Sequence, residues 1–168
     1  MGRVVLTLGD DISTDVIYPG RYMATVLPGE TPQFAFADMT EFNARLRAGQ
    51  VAAGSVIVAG RNFGCGSSRE QAVSALRGYD LTIVANDFAR IFLQNAVNLG
   101  LNLIAAPGFA ASEGDEIASG DGTVTNVTTG VSTAVVALPP ARQAIIEAGG
   151  LIAYTRKRLL ENMKKAKA

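Results

Sequence analysis

Three short apolar runs dominate the middle of the chain: Ser55-Val56-Ile57-Val58-Ala59, Leu81-Thr82-Ile83-Val84-Ala85 and Leu101 to Ala105. Each has the length and the unbroken apolar character of a buried strand. Two helical segments lie between them. The first runs from about Ser68 to Arg77 and stops at Gly78. The second is capped at Asn86 or Asp87, keeps Phe88, Ile91, Phe92, Ala96 and Leu99 at helical spacing, and closes on Gly100. A strand–helix–strand–helix–strand run predicts α/β packing with parallel pairing.

The flanks differ. Arg3 to Leu8 reads as a strand, followed by the polar turn Gly9-Asp10-Asp11-Ile12-Ser13-Thr14-Asp15. Residues 21–33 hold Pro28, Gly29 and Pro32 and read as an irregular loop; Phe34 to Arg47 reads as a helix. Later, 115–118, 122–126 and 132–138 are short strands between glycine turns. Pro139-Pro140 opens a helix that Gly149-Gly150 breaks before a last helix from Leu151. At 168 residues the simplest account is one mixed α/β domain, 1–168, with a helical tail over about 151–168.

Composition narrows the chemistry. Fifteen basic and fifteen acidic residues give a net charge of zero, which argues against nucleic-acid binding by bulk charge. No apolar run reaches the ~18–20 residues of a membrane helix, no secretory leader is visible, and a single cysteine allows no internal disulfide, so a cytoplasmic location is expected. The absence of histidine removes Ser-His-Asp and Cys-His catalysis. One cysteine cannot hold an iron–sulfur cluster, which usually takes four thiolates, so no metal site is expected here and another chain must bring any metal. The basic tail, Arg156 to Lys167, fits a solvated face or a subunit contact better than a membrane anchor.

Chemistry concentrates in Gly60-Arg61-Asn62-Phe63-Gly64-Cys65-Gly66-Ser67-Ser68-Arg69-Glu70. A strand delivers the chain to a glycine turn and a helix leaves it. Glycines let a ligand approach the backbone, a helix N-terminus carries partial positive charge, and an Arg fork grips both oxygens of a carboxylate. An anion site is one outcome. The other is plain capping, with Ser67 as N-cap and Glu70 three residues on, stabilising by about 1 kcal/mol. A P-loop fails, because Gly60 and Gly66 are six apart and Ser67 replaces the lysine. A dinucleotide fingerprint fails at Arg69. Cys65 reads as a small turn residue. Asp10, Asp11, Ser13 and Asp15 read as a polar turn and not a calcium loop, since Val16 and Tyr22 occupy the glycine and glutamate positions.

Asn62 to Glu70 resembles the signature of the aconitase superfamily's mobile domain, a separate small subunit in the isopropylmalate dehydratases. Gly9 to Ile17 with Tyr18-Pro19-Gly20-Arg21-Tyr22 resembles the family's N-terminal motif. Phe88-Ala89-Arg90-Ile91-Phe92 with Asn95 and Asn98-Leu99-Gly100 resembles a third, and Asn126-Val127-Thr128-Thr129-Gly130 a fourth.

The resemblance implies a single mixed β/α swivelling domain of the aconitase C-terminal type. It implies the small subunit of a hydro-lyase that isomerises a small hydroxy-dicarboxylic acid by removing and re-adding water, as in leucine biosynthesis. A large subunit, in a heterodimer or heterotetramer, would carry a [4Fe-4S] cluster. Ser67 would be the catalytic base, with Asp15 supporting it. Arg69 would grip a carboxylate, Ser68 would hydrogen-bond the substrate or position Ser67, and Gly66 would line the substrate. Tyr22-Met23-Ala24-Thr25 falls at the substrate-selecting loop, where Ala24 in place of arginine favours an apolar side group. Gln71 stands where many isopropylmalate dehydratases have histidine, and glutamine occurs there in homoaconitase-like members. Alternatives are a homoaconitase-like or dimethylmalate-type small subunit, and a non-enzymatic anion-binding or structural module.

Overall fold

The apolar runs form adjacent parallel strands in a computed structural model that describes residues 2–165. β1 (Gly2–Thr7), β2 (Val56–Ala59), β3 (Thr82–Ala85) and β4 (Asn102–Ala105) pair in parallel, with Val56 opposite Thr82 and Ala85 opposite Ala105. β5 (Glu116–Gly120), β6 (Thr123–Asn126) and β7 (Val131–Ala134) continue the sheet antiparallel from β1, giving the order β4-β3-β2-β1-β5-β6-β7. Past β7, the Val136 N–H donates to the Ala105 carbonyl at 2.8 Å, so the far edge curls back to β4.

Alternation sorts the strand side chains into two cores. Ile57, Ala59, Ile83 and Ala85 face the helices. Val56, Val58 and Val84 face the inside of the curled sheet with Val4, Ile117, Val124 and Phe109. Both faces are apolar, which is why these strands show no polar alternation in sequence.

The helices are α1 (Thr14–Ile17), α2 (Thr40–Arg47), α3 (Glu70–Gly78), α4 (Arg90–Leu99), α5 (Pro140–Glu147) and α6 (Leu151–Lys165), with short 3-10 turns at Gly20–Tyr22 and Thr31–Phe34. α4 ends on Gly100 in the left-handed conformation, as its sequence predicts. Its start does not follow prediction. The Asn86 side chain accepts from the Gly108 N–H, and Asp87 accepts from the Asn62 N–H, so neighbouring loops use both would-be caps. The helix expected over Phe34–Arg47 is shorter as well. Phe36 is buried at φ 52° and donates its N–H to the Ile17 carbonyl, which delays α2 to Thr40. The polar turn at 9–15 contains a helix start: the Ser13 hydroxyl accepts from the Val16 N–H and caps α1. The basic side chains of the tail are solvated on α6 as far as Lys165, while Lys167 lies outside the described residues.

Candidate active site

The loops that leave the carboxyl ends of β1, β2 and β3 are tied into one surface, the usual ligand edge of a parallel sheet. Gly60 N–H donates to the Gly9 carbonyl, and Asn86 N–H to the Gly60 carbonyl. Asp10 receives the Arg61 N–H and guanidinium, and Asp11 receives the Asn62 amide at 2.7 Å. Arg61 holds the Asp10 carboxyl below the usual range through these backbone and side-chain hydrogen bonds. The glycine turn also pairs with the N-terminal loop: Gly64 and Cys65 N–H donate to the Ile12 carbonyl, and Thr14 N–H to the Cys65 carbonyl.

The structure corrects the capping-box expectation. α3 begins at Glu70, its N-cap is Arg69, and no side chain caps it. The Ser67 carbonyl instead accepts from the Thr14 hydroxyl at 3.0 Å and the Arg69 N–H at 2.9 Å, which closes a tight turn before the helix. Ser67 and Ser68 are therefore exposed ahead of α3 and free of capping work. The expected first-turn N–H groups start three residues beyond Ser67. Gly66 stands next to the serines at φ 87°.

Arg69 and Asp15, distant in sequence, form an ion pair. Arg69 also donates to the Tyr18 carbonyl at 3.2 Å. Its side chain is 10% exposed, against 58% for Asp15, so the guanidinium is gripped and the carboxylate is wet. Gly20 leaves it room: a Cβ there would stand 3.2 Å from Arg69 Nη2. Among the described residues, Arg69 Nε is buried without a partner. Ala24 lies exposed in the loop after Tyr22, and the Gln71 amide reaches the Met23 carbonyl of that loop at 3.3 Å.

The aconitase C-terminal domain model matches residues 27–106, which include the glycine turn. The chain is 42% identical over 158 residues to the 3-isopropylmalate dehydratase small subunit of Moorella thermoacetica, covering 91% of this chain and 93% of that one. It is 39% identical over 167 residues to the isopropylmalate/citramalate isomerase small subunit of Methanocaldococcus jannaschii, covering 96% of each. The chain belongs to the 3-isopropylmalate dehydratase small-subunit family. Its fold matches the crystal structure of 3-isopropylmalate dehydratase from Methanocaldococcus jannaschii with a TM-score of 0.86 and 37% identity, over 98% of this chain and 97% of that one. No described helix is long and apolar enough to cross a membrane.

The first and second of the four family motifs form this surface. The third lies beneath it: Phe88 and Phe92 pack edge-on against Phe63 at 6.2 and 5.3 Å. The fourth does not reach it. Asn126 is buried at the β6–β7 turn, donates to Asp115 at 2.7 Å, and pairs with Ile117, which sits opposite Gly2 at the other end of β1 from Gly9. Thr14 and Tyr18 were not singled out from sequence. Both lie in the N-terminal motif, but their bonds run to residues more than fifty positions away.

The Asp15 carboxyl is held below its usual range, chiefly by its hydrogen bond to Arg69 and also by that charge, with desolvation opposing. A depressed folded value stabilises above the unfolded one, about pH 4, and the effect fades as pH falls through the folded value. Solvent screening keeps it small. Denaturation midpoints of wild type and Asp15→Asn should differ by a constant amount above about pH 4 and converge below it. A gap that persists at low pH would contradict the ionic role of Asp15.

Proposed function

We propose that this chain is the small subunit of a hydro-lyase that interconverts 2-isopropylmalate and 3-isopropylmalate by dehydration and rehydration, as one step of leucine biosynthesis in the cytoplasm. The observation that carries this reading is the placement of Ser67 and Ser68, exposed at the carboxyl edge of the sheet, beside an Arg69 clamped by Asp15. Family membership supports it.

Ser67 takes the proton from the carbon next to a substrate carboxylate and later returns it. A serine hydroxyl is a weak base, so its alkoxide needs positive potential close by. The Arg69 guanidinium and the amino end of α3 supply it. Arg69 holds a substrate carboxylate through its guanidinium fork. Asp15 and the Tyr18 carbonyl keep the guanidinium in place before substrate arrives. Ser68 hydrogen-bonds the substrate, Gly66 lines it, and Ala24 faces its apolar side group. One cysteine and no histidine do not provide the ligands of an iron–sulfur cluster, so we assign the [4Fe-4S] cluster to the large subunit, with which this chain forms a heterodimer or heterotetramer. The chain itself is assigned as one swivelling domain.

The test is reconstitution. The chain, purified with its large subunit, should convert 2- and 3-isopropylmalate and leave citrate and homocitrate largely untouched. Preference for a tricarboxylate would assign it to the homoaconitase-like relatives, and full activity of the isolated chain would refute the two-subunit mechanism.

A further inference from the structure

The loop that carries Ala24 is fastened from outside itself. Its own backbone closes through Met23 N–H to the Gly20 carbonyl and Thr25 N–H to the Tyr22 carbonyl. The buried Tyr18 hydroxyl lies 3.1 Å from the Tyr22 carbonyl and 3.4 Å from that of Thr25. The Met23 carbonyl takes the Gln71 Nε2 donor at 3.3 Å. That carbonyl belongs to the peptide bond immediately before Ala24, so the bond sets the plane from which Ala24 projects. Gln71 stands in the first turn of α3, two positions after Arg69. One helix start therefore places the carboxylate grip and, through Gln71, the loop beside it.

We propose that Gln71 is a positioning residue for substrate choice: by holding the Met23 carbonyl it fixes Ala24 relative to Ser67 and Arg69, and so the size of side group the hydroxy acid can carry. This rests on the function proposed above. The bond is neutral and exposed, so its loss is worth a factor of a few in affinity. Glu at position 71 keeps the length and removes the donor, while His keeps an N–H donor.

Two measurements decide it. In the full chain, Gln71→Glu should speed amide hydrogen exchange across residues 22–27 about 3- to 10-fold, and Gln71→His should stay near wild type. In the complex with the large subunit, Gln71→Glu should raise KM for 2-isopropylmalate about 3- to 10-fold with kcat within about twofold. It should also shift the kcat/KM ratio of 2-isopropylmalate over 2-methylmalate, and Gln71→His should restore that ratio. Unchanged exchange in Gln71→Glu overturns the proposal. So does faster exchange with an unchanged substrate ratio. Turnover of neither substrate by the wild-type complex overturns the functional reading and the substrate choice with it, while the exchange result stands by itself on the loop.

Discussion

Ser67→Ala is expected to lower kcat of the reconstituted enzyme by about 10²- to 10⁴-fold, the usual contribution of a positioned acid–base group. KM should change little, because the lost interaction is made in the transition state. Stability should stay within about 0.5 kcal/mol of wild type, since Ser67 is exposed and caps nothing. Steady-state turnover of 2-isopropylmalate beside a urea titration separates the two effects. Undiminished turnover would remove Ser67 as the base, and a matching loss of stability would make it a structural residue.

Gly64→Ala should act the opposite way, through the fold. Gly64 sits at φ 81°, and a Cβ there would fall 2.1 Å from Phe92 Cγ and 2.4 Å from Cδ2. Phe92 has nowhere to go: it is buried, edge-on to Phe63 and stacked at 6.5 Å on Phe88. Backbone strain and overpacking together predict a loss of about 2–5 kcal/mol. Gly66→Ala is the internal control. Its φ of 87° is equally unfavourable, but a Cβ would meet only Ser13 and Thr14 atoms at 3.7 Å. It should lose only the backbone part, about 1–2 kcal/mol. Equal losses in urea denaturation would show that the ring beneath Gly64 is not the cause.

These two glycines are two residues apart and look alike in sequence. Only their surroundings separate them. The same holds for the helix starts. Asn86 and Asp87 carry good capping side chains, yet each bonds a neighbouring loop and α4 begins later. Ser67 fits a capping box but has its carbonyl drawn into a turn by Thr14 and Arg69. Capping propensity is local, and a tertiary acceptor or donor of equal strength overrides it. Within the site, Ser67, Ser68, Arg69 and Asp15 were legible as candidate groups. Tyr18 was not, because its part is played by a carbonyl and a buried hydroxyl, and a carbonyl leaves no mark on residue type.

The sequence by itself determined the parallel strands, through three apolar runs of strand length, and the glycine turn that ends the first of these runs. It also fixed the side chains available to the site, with no histidine and one cysteine, which folding cannot change. Tertiary structure decided the rest. It set Arg69 against Asp15 and Tyr18, curled the sheet until Val136 met Ala105, and put Phe92 under Gly64 and Gln71 under the Ala24 loop. The physical reason is one of range. Periodicity and turn chemistry act between near neighbours along the chain, whereas each of these partnerships exists only once distant segments have packed together.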